Sequence, residues 1–273
     1  MAFKIALSAG HGRNTAGKRC LRALDPNQTR EWVLNDRIAD RVEKLLKDYS
    51  GYELLRVDDT TGTKDVPLRT RSNAANKFNA DFYLAIHHNA GINGGKGGGI
   101  VAFVYKTPDA ESVAWQKELY DELIAETGLK GNRSQPLGRA NFHEVREPKM
   151  PAVLLELGFM DSSTDIPIIL TEKFADKCAK AIVKVLVKRG KLTKKSVSAP
   201  AAKFEPYRVR VIANALCIRS GAGTSYKTVG RITDKGVYTV VEESYNGKWG
   251  LLKAYANERN GWISLGSKYV EKV

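Results

Sequence analysis

Asp81-Phe82-Tyr83-Leu84-Ala85-Ile86-His87-His88-Asn89-Ala90 is the stretch that decides the fold. An unbroken apolar run that stops at a histidine reads as a strand covered on both faces, because a half-exposed strand would alternate apolar and polar residues. Two other runs share this form. Phe3-Lys4-Ile5-Ala6-Leu7-Ser8-Ala9-Gly10 leads into His11, and Ala152-Val153-Leu154-Leu155 leads into Glu156. In sheets of this kind the ligand site lies beyond the carboxyl ends of the strands. His11, His87 and Glu156, far apart in sequence, are therefore expected at one edge.

Working outward, strands alternate with helical periodicity. Leu34, Ile38, Val42 and Leu45 mark a helix that begins near Glu31. Tyr52–Val57 reads as a strand, Leu68–Asn79 as a helix and Gly99–Tyr105 as a strand entered through the glycine-rich stretch 94–99, which reads as a flexible rim. Val113, Gln116, Leu119 and Leu123 mark a helix closed by Gly128, and Phe174, Cys178, Ile182 and Leu186 mark one that ends at Gly190. The expected front domain, 1–190, is α/β, with a mostly parallel sheet and helices on both faces. Residues 191–205 (Lys-Leu-Thr-Lys-Lys-Ser-Val-Ser-Ala-Pro-Ala-Ala-Lys-Phe-Glu) carry no hydrophobic period and read as a linker. From 206 to 273 short strands alternate with turn residues, and the expectation is a small all-β barrel or sandwich.

The net charge is +14. The basic surplus is heaviest at the rear, where residues 206–273 hold 11 Lys/Arg against 5 Asp/Glu. Such a surface favours a polyanion. No nucleic-acid module accompanies it, so nucleic acid is not the expected partner. No apolar run approaches the length of a membrane span, and no membrane insertion is expected. The N-terminus lacks a basic segment followed by an apolar stretch, so the expected route is synthesis in the cytoplasm without a signal peptide. The three cysteines are isolated, and no disulfide framework is expected.

Two imidazoles and a carboxylate around an open position are what a catalytic zinc requires. Glu156 stands out further, because a carboxylate inside Val-Leu-Leu-Glu-Leu-Gly-Phe needs a partner or a function. Taken one at a time, each residue has a plainer reading. A lone histidine after a strand is more often a cap or packing residue, and Glu31 suits the first turn of a helix.

Five segments together change that balance: Ser8-Ala-Gly-His11-Gly, Glu31-x-x-Leu34-Asn35, Arg71-x-x-x-Ala75-Asn76, Asp81 to Ala90, and Met150-Pro-Ala-Val-Leu-Leu-Glu156-Leu-Gly158-Phe159. In order and spacing they resemble the type 3 N-acetylmuramoyl-L-alanine amidases across nearly all of residues 1–189. The chain departs from that pattern at Arg13-Asn14-Thr15, where many members carry further glycine and aspartate, and at His88, where a small residue is commoner. The resemblance implies Zn2+ held by His11, Glu31 and His87, with Glu156 as general base. It also implies peptidoglycan as substrate, cut between muramic acid and L-alanine in endolysin-like lysis of the wall after release. Asn89 and His143 are the candidate substrate contacts, and His143 is expected on the loop before the Glu156 strand. His88 is expected to point away from His87.

The rear segment resembles bacterial SH3-type domains through Ala215-Leu-Cys-Ile-Arg219-Ser-Gly221-Ala-Gly223-Thr-Ser-Tyr226, Lys248-Trp249 and Asn260-Gly261-Trp262-Ile263. The implied role is cell-wall binding, with Tyr226 and Tyr245 as candidate contacts. Trp249 and Trp262 could equally be core residues of so small a domain. Two rival readings are a non-catalytic wall-binding protein on the same scaffold and a basic nucleic-acid binder.

Overall fold

The computed structural model describes residues 2–195, 204–244, 247–253 and 261–273. The chain divides into two compact units, Met1–Lys195 and Ser196–Val273. Most of the segment read as a linker, 196–203, lies outside the described residues.

The front unit runs β1 (Phe3–Ala9), α1 (Glu31–Leu46), β2 (Tyr49–Ser50), β3 (Tyr52–Arg56), α2 (Leu68–Phe78), β4 (Phe82–Asn89), β5 (Ile100–Tyr105), α3 (Ala110–Thr127), β6 (Leu137–Ala140), α4 (His143–Arg146), β7 (Ala152–Phe159), α5 (Ile166–Ile169), α6 (Glu172–Arg189) and β8 (Thr193–Lys194). Six strands form one sheet in the order β3-β1-β4-β7-β5-β6. β3, β1, β4 and β7 are mutually parallel, β5 runs antiparallel to β7, and β6 is parallel to β5. The sheet is thus parallel at its centre and reversed at one margin.

Side chains alternate between two apolar clusters. Ile5, Leu7, Phe82, Leu84, Ile86, Val153 and Leu155 join residues of α1, α3 and α6 on one face. Ala6, Tyr83, Ala85, Ala152 and Leu154 meet Ala75 of α2 and Val145 of α4 on the other. Period-two alternation between two covered faces is why these strands read as continuously apolar. Trp115 of α3 stacks on Phe82 with ring centroids 3.8 Å apart. α3 and α6 are capped as their sequences suggest: Asp109 accepts from the Ser112 amide at 2.8 Å and Thr171 from the Phe174 amide at 3.1 Å. Gly128 closes α3 in the left-handed conformation, with φ +75°.

Three sequence expectations need correction. β4 and β7 do not stop at His87 and Glu156 but continue to Asn89 and Phe159, with a register irregularity between His87 and Asn89. His143 begins a one-turn helix, α4, rather than lying on a loop. The glycine-rich stretch, expected as a flexible rim, is pinned on both sides. Asp161 Oδ2 accepts the amides of Gly91, Ile92 and Asn93, all at 2.8 Å, and Asp165 Oδ2 accepts those of Gly99 and Phe159 at 2.7 and 2.9 Å.

The rear unit is all β: β9 (Tyr207–Val211), β10 (Leu216–Arg219), β11 (Thr228–Ile232), β12 (Val237–Glu243), β13 (Trp249–Leu252), β14 (Trp262–Ser264) and β15 (Val270–Lys272). Their order is β11-β10-β14-β13-β12-β9-β15, antiparallel throughout. Val209, Val211, Leu216, Ile218, Ile232, Val240, Leu252, Ile263 and Val270 form its core. Trp249 and Trp262 are only half-buried and stand outside that core. All three cysteines are free thiols, and no helix among the described residues is long and apolar enough to cross a membrane.

Candidate metal centre

β1 ends where its chain must come close to β4. A Cβ on Gly10 would lie 2.1 Å from Cε1 of the His87 ring, so only glycine fits there. The next residue, His11, adopts a left-handed backbone with φ +66°, uncommon for a residue with a side chain. The two imidazoles then meet edge to face with centroids 5.0 Å apart. Glu31, the first residue of α1, is 1% exposed and reaches between them. Its Oε1 is 3.1 Å from His87 Nδ1 and its Oε2 is 3.3 Å from His11 Nε2. The plainer reading of Glu31 as an acid at a helix start accounts for its place on α1 but not for this burial.

One ligand atom from each of His11, Glu31 and His87 lies within 4.8 Å of the others, so this group could hold a metal ion. Two orphaned atoms sharpen the fit. Glu31 Oε2 and Glu156 Oε2 are buried and accept no hydrogen bond. Unsatisfied buried carboxylate oxygens are costly, and a divalent cation held by His11, Glu31 and His87 would satisfy the Glu31 oxygen. Two nitrogens and an oxygen suit zinc and leave a fourth position free.

Glu156 pairs in parallel register with His87. It falls on the Tyr83 and Leu154 side of the sheet, as His87 does. Burial raises its carboxyl to about 8, with the nearby charge of His87 acting against the rise. Lys18 Nζ stands 3.7 Å from Glu31 Oε2 at the mouth of the centre.

The electrostatics of the metal-free centre follow from crowding charge into a dry place. Burial opposes ionisation of Glu31, yet the facing imidazoles of His11 and His87 hold its carboxyl well below the usual range. Burial likewise disfavours the His87 cation, but Glu144 and Glu31 outweigh it and raise the imidazole to about 10. His88 takes the opposite course. Burial lowers it to about 3, and its Nδ1 lies 2.8 Å from Asn35 Oδ1 on the α1 face, away from the metal group as expected.

Glu144 is the residue that sequence reasoning missed. Only 3% exposed on α4, it takes His87 Nε2 at 3.0 Å on Oε2. Ser8 Oγ and Tyr83 Oη donate to its Oε1 at 2.7 and 2.8 Å. The available signal was weak: a glutamate beside Val145 in a short segment without a period.

Among the described residues, the group that could hold a metal does not include the other candidates. Asn89 is half-buried, and its Oδ1 caps the Ala90 amide at 2.8 Å. His143 Nε2 lies 3.1 Å from Ser72 Oγ of α2. In the rear unit the Tyr226 ring packs on Gly221, where a Cβ would come within 2.4 Å of it. Tyr245 lies outside the described residues.

Residues 5–188 match the family described as N-acetylmuramoyl-L-alanine amidase. A sporulation-specific N-acetylmuramoyl-L-alanine amidase of Bacillus subtilis is 31% identical over 220 residues, 80% of either chain. An endolysin of Bacillus phage SPP1 is 28% identical over 76% of this chain and 73% of its own. Among solved structures, an N-acetylmuramoyl-L-alanine amidase from Clostridium difficile superposes with a TM-score of 0.61 at 26% identity, covering 68% of this chain and 96% of that one.

Proposed function

The chain belongs to the N-acetylmuramoyl-L-alanine amidase family, and from that premise we propose that it is a zinc hydrolase of bacterial peptidoglycan. The bond cut joins the lactyl carbonyl of muramic acid to the nitrogen of L-alanine. The observation that carries this reading is the convergence of His11, Glu31 and His87, with the orphaned Glu156 Oε2 on the neighbouring strand.

In this reading His11, Glu31 and His87 hold the ion. Bound there, zinc supplies an acidified water and polarises the scissile carbonyl. Glu156 takes the proton of the attacking water as the new C–O bond forms, then delivers it to the nitrogen as the C–N bond breaks. Without that delivery an amide anion would have to leave. Glu156 is placed for both halves of this shuttle by its register opposite His87, on the same face of the sheet. Asn89 and His143 are the candidate substrate contacts.

The front unit, expected to end at 190, runs on to Lys195 because β8 pairs with β2, and it is the catalytic domain; the linker shrinks from 191–205 to 196–205, and 206–273 is a bacterial SH3-type domain that holds the wall. Trp249 and Trp262, on paired strands and outside the core, support a binding role for the rear unit, as does its basic surplus. Tyr226 and Tyr245 are the candidate wall contacts. Tethering raises the local concentration of catalyst on a polymer. The enzyme would be made in the bacterial cytoplasm and lyse the wall after release.

Mass analysis of digested muropeptides tests the activity. New L-alanine amino termini on intact glycans, abolished by chelator and restored by zinc, are the expected products. New reducing sugar ends, or cleavage within the stem peptide, would overturn it.

A further inference from the structure

Arg71 of α2 is fully buried, and all five of its N–H groups are engaged. Nε donates to the Val66 carbonyl at 2.9 Å. One terminal nitrogen donates to Ser8 Oγ at 2.8 Å and the Ala9 carbonyl at 2.6 Å, the other to the His11 carbonyl at 3.1 Å and Asp65 Oδ1 at 3.2 Å. A guanidinium in a dry site is stable only when so completely satisfied. What it satisfies is the turn from β1 into His11, where the backbone leaves the sheet in its left-handed conformation.

The same guanidinium reaches the other imidazole. Ser8 Oγ accepts from Arg71 and donates its own hydrogen bond to Glu144 Oε1, and Glu144 Oε2 accepts from His87 Nε2. With Nε2–H committed to Glu144, the nitrogen that faces Glu31 is Nδ1. Tyr83 fixes Glu144 from a third direction.

We infer that Arg71, Ser8 and Glu144 form one buried positioning relay that sets both metal-binding imidazoles at once. Arg71 places His11 through its backbone carbonyl, and Glu144 holds His87 with Nδ1 turned toward the ion. None of the three belongs to the group that could hold the metal. The inference rests on the zinc reading of His11, Glu31 and His87 and adds the machinery that orients them. An outer carboxylate of this kind typically accounts for 10- to 100-fold in metal affinity.

The test compares the full-length protein with Glu144→Ala, Glu144→Gln, Ser8→Ala and Arg71→Lys. Zinc affinity is read by competition with a chromophoric chelator. The cobalt(II) absorption spectrum and the nitrogen-15 shifts of the His87 ring serve as second readouts. The expected order of zinc affinity is wild type, then Ser8→Ala, then Glu144→Gln, then Glu144→Ala, with the last down 10- to 100-fold. Glutamine can still accept from Nε2–H and restores part of the loss, which a packing defect would not show. In Glu144→Ala the Nε2–H preference of His87 disappears. In Arg71→Lys, where one ammonium cannot replace five directed donors, the cobalt spectrum shifts because both ligands move.

If Glu144→Ala does not fold, Ser8→Ala and Glu144→Gln carry the comparison, since each keeps the volume of its site nearly unchanged. Folded variants with wild-type zinc affinity and unaltered cobalt spectra would overturn the relay. A wild-type protein that takes up no zinc would remove the zinc reading beneath it, a result distinguishable because it precedes any substitution.

Discussion

His87 and Glu156 stand opposite each other on neighbouring parallel strands, with their side chains on the same face of the sheet. A one-residue slip of either strand would send one of them to the other face. The pair is therefore held by the same apolar alternation that builds the core. The separation between binding a metal and using it should be visible at these two positions.

Glu156→Gln is expected to retain zinc and lose activity by roughly 10²- to 10⁴-fold, the usual contribution of a positioned general base. Metal content by mass spectrometry and turbidity loss of purified walls measure the two properties. A variant that is inactive only because it has lost its metal would contradict the role assigned to Glu156.

The pH dependence of stability follows from the same carboxyl. Its folded value, about 8, lies above its ordinary 4.5 because of burial. The metal-free fold thus binds a proton more tightly than the unfolded chain, and stability from this group falls as pH rises from 4.5 through 8. Glu156→Gln has no such loss. In chelator, its melting temperature should gain on the wild type across that window and hold its lead above it. A constant difference between the two would show that Glu156 is not held in a dry place.

Glu31→Ala should abolish zinc-dependent stabilisation. A ligand that binds only the folded state stabilises by RT ln(1 + [L]/Kd), about 4 kcal/mol at a thousandfold excess over Kd. Wild-type melting temperature should climb with free zinc while that of Glu31→Ala stays flat, as calorimetry would record.

His88 tests whether neighbouring histidines have different duties. It is buried and neutral, and its hydrogen bond goes to Asn35, which in turn donates to the Gly10 carbonyl at 3.1 Å. His88→Leu should cost about 1–3 kcal/mol, because the Asn35 oxygen is left unpaired. Zinc stoichiometry should be unchanged, and one equivalent lost on this substitution would assign the wrong imidazole to the metal.

Asp161→Ala removes the acceptor of three consecutive amides at the rim. The segment 91–93 should become the first site of limited proteolysis, with little change in global melting temperature.

Much of the centre was legible because the chemistry sits where patterns break. His11, His87 and Glu156 each interrupt or follow an apolar run, and such interruptions are conspicuous in a covered sheet. Glu31 was legible only with the motif around it, since an acid opening a helix is common. Glu144 was not legible. Its role exists only because Ser8, Tyr83 and His87, from two strands, face one turn of helix that has no period of its own. Leu137–Ala140 escaped notice as a strand because Leu-Gly-Arg-Ala lacks β-branched residues, and pairing with β5 supplies what propensity does not. Where β4 and β7 end was hidden as well, because register continues past the functional side chains into irregular backbone.

The reversed direction of β5 has a consequence for how this scaffold can vary. A strand that enters the sheet at the edge where β4 leaves it needs only residues 90–99 to make the passage, and both ends of that passage are tied to carboxylates that follow β7. Lengthening or shortening that span would recontour the rim between β4 and β5, outside the segments that carry His11, Glu31 and His87. Preference among wall polymers would then diverge between descendants of such a chain without rebuilding the group formed by His11, Glu31 and His87.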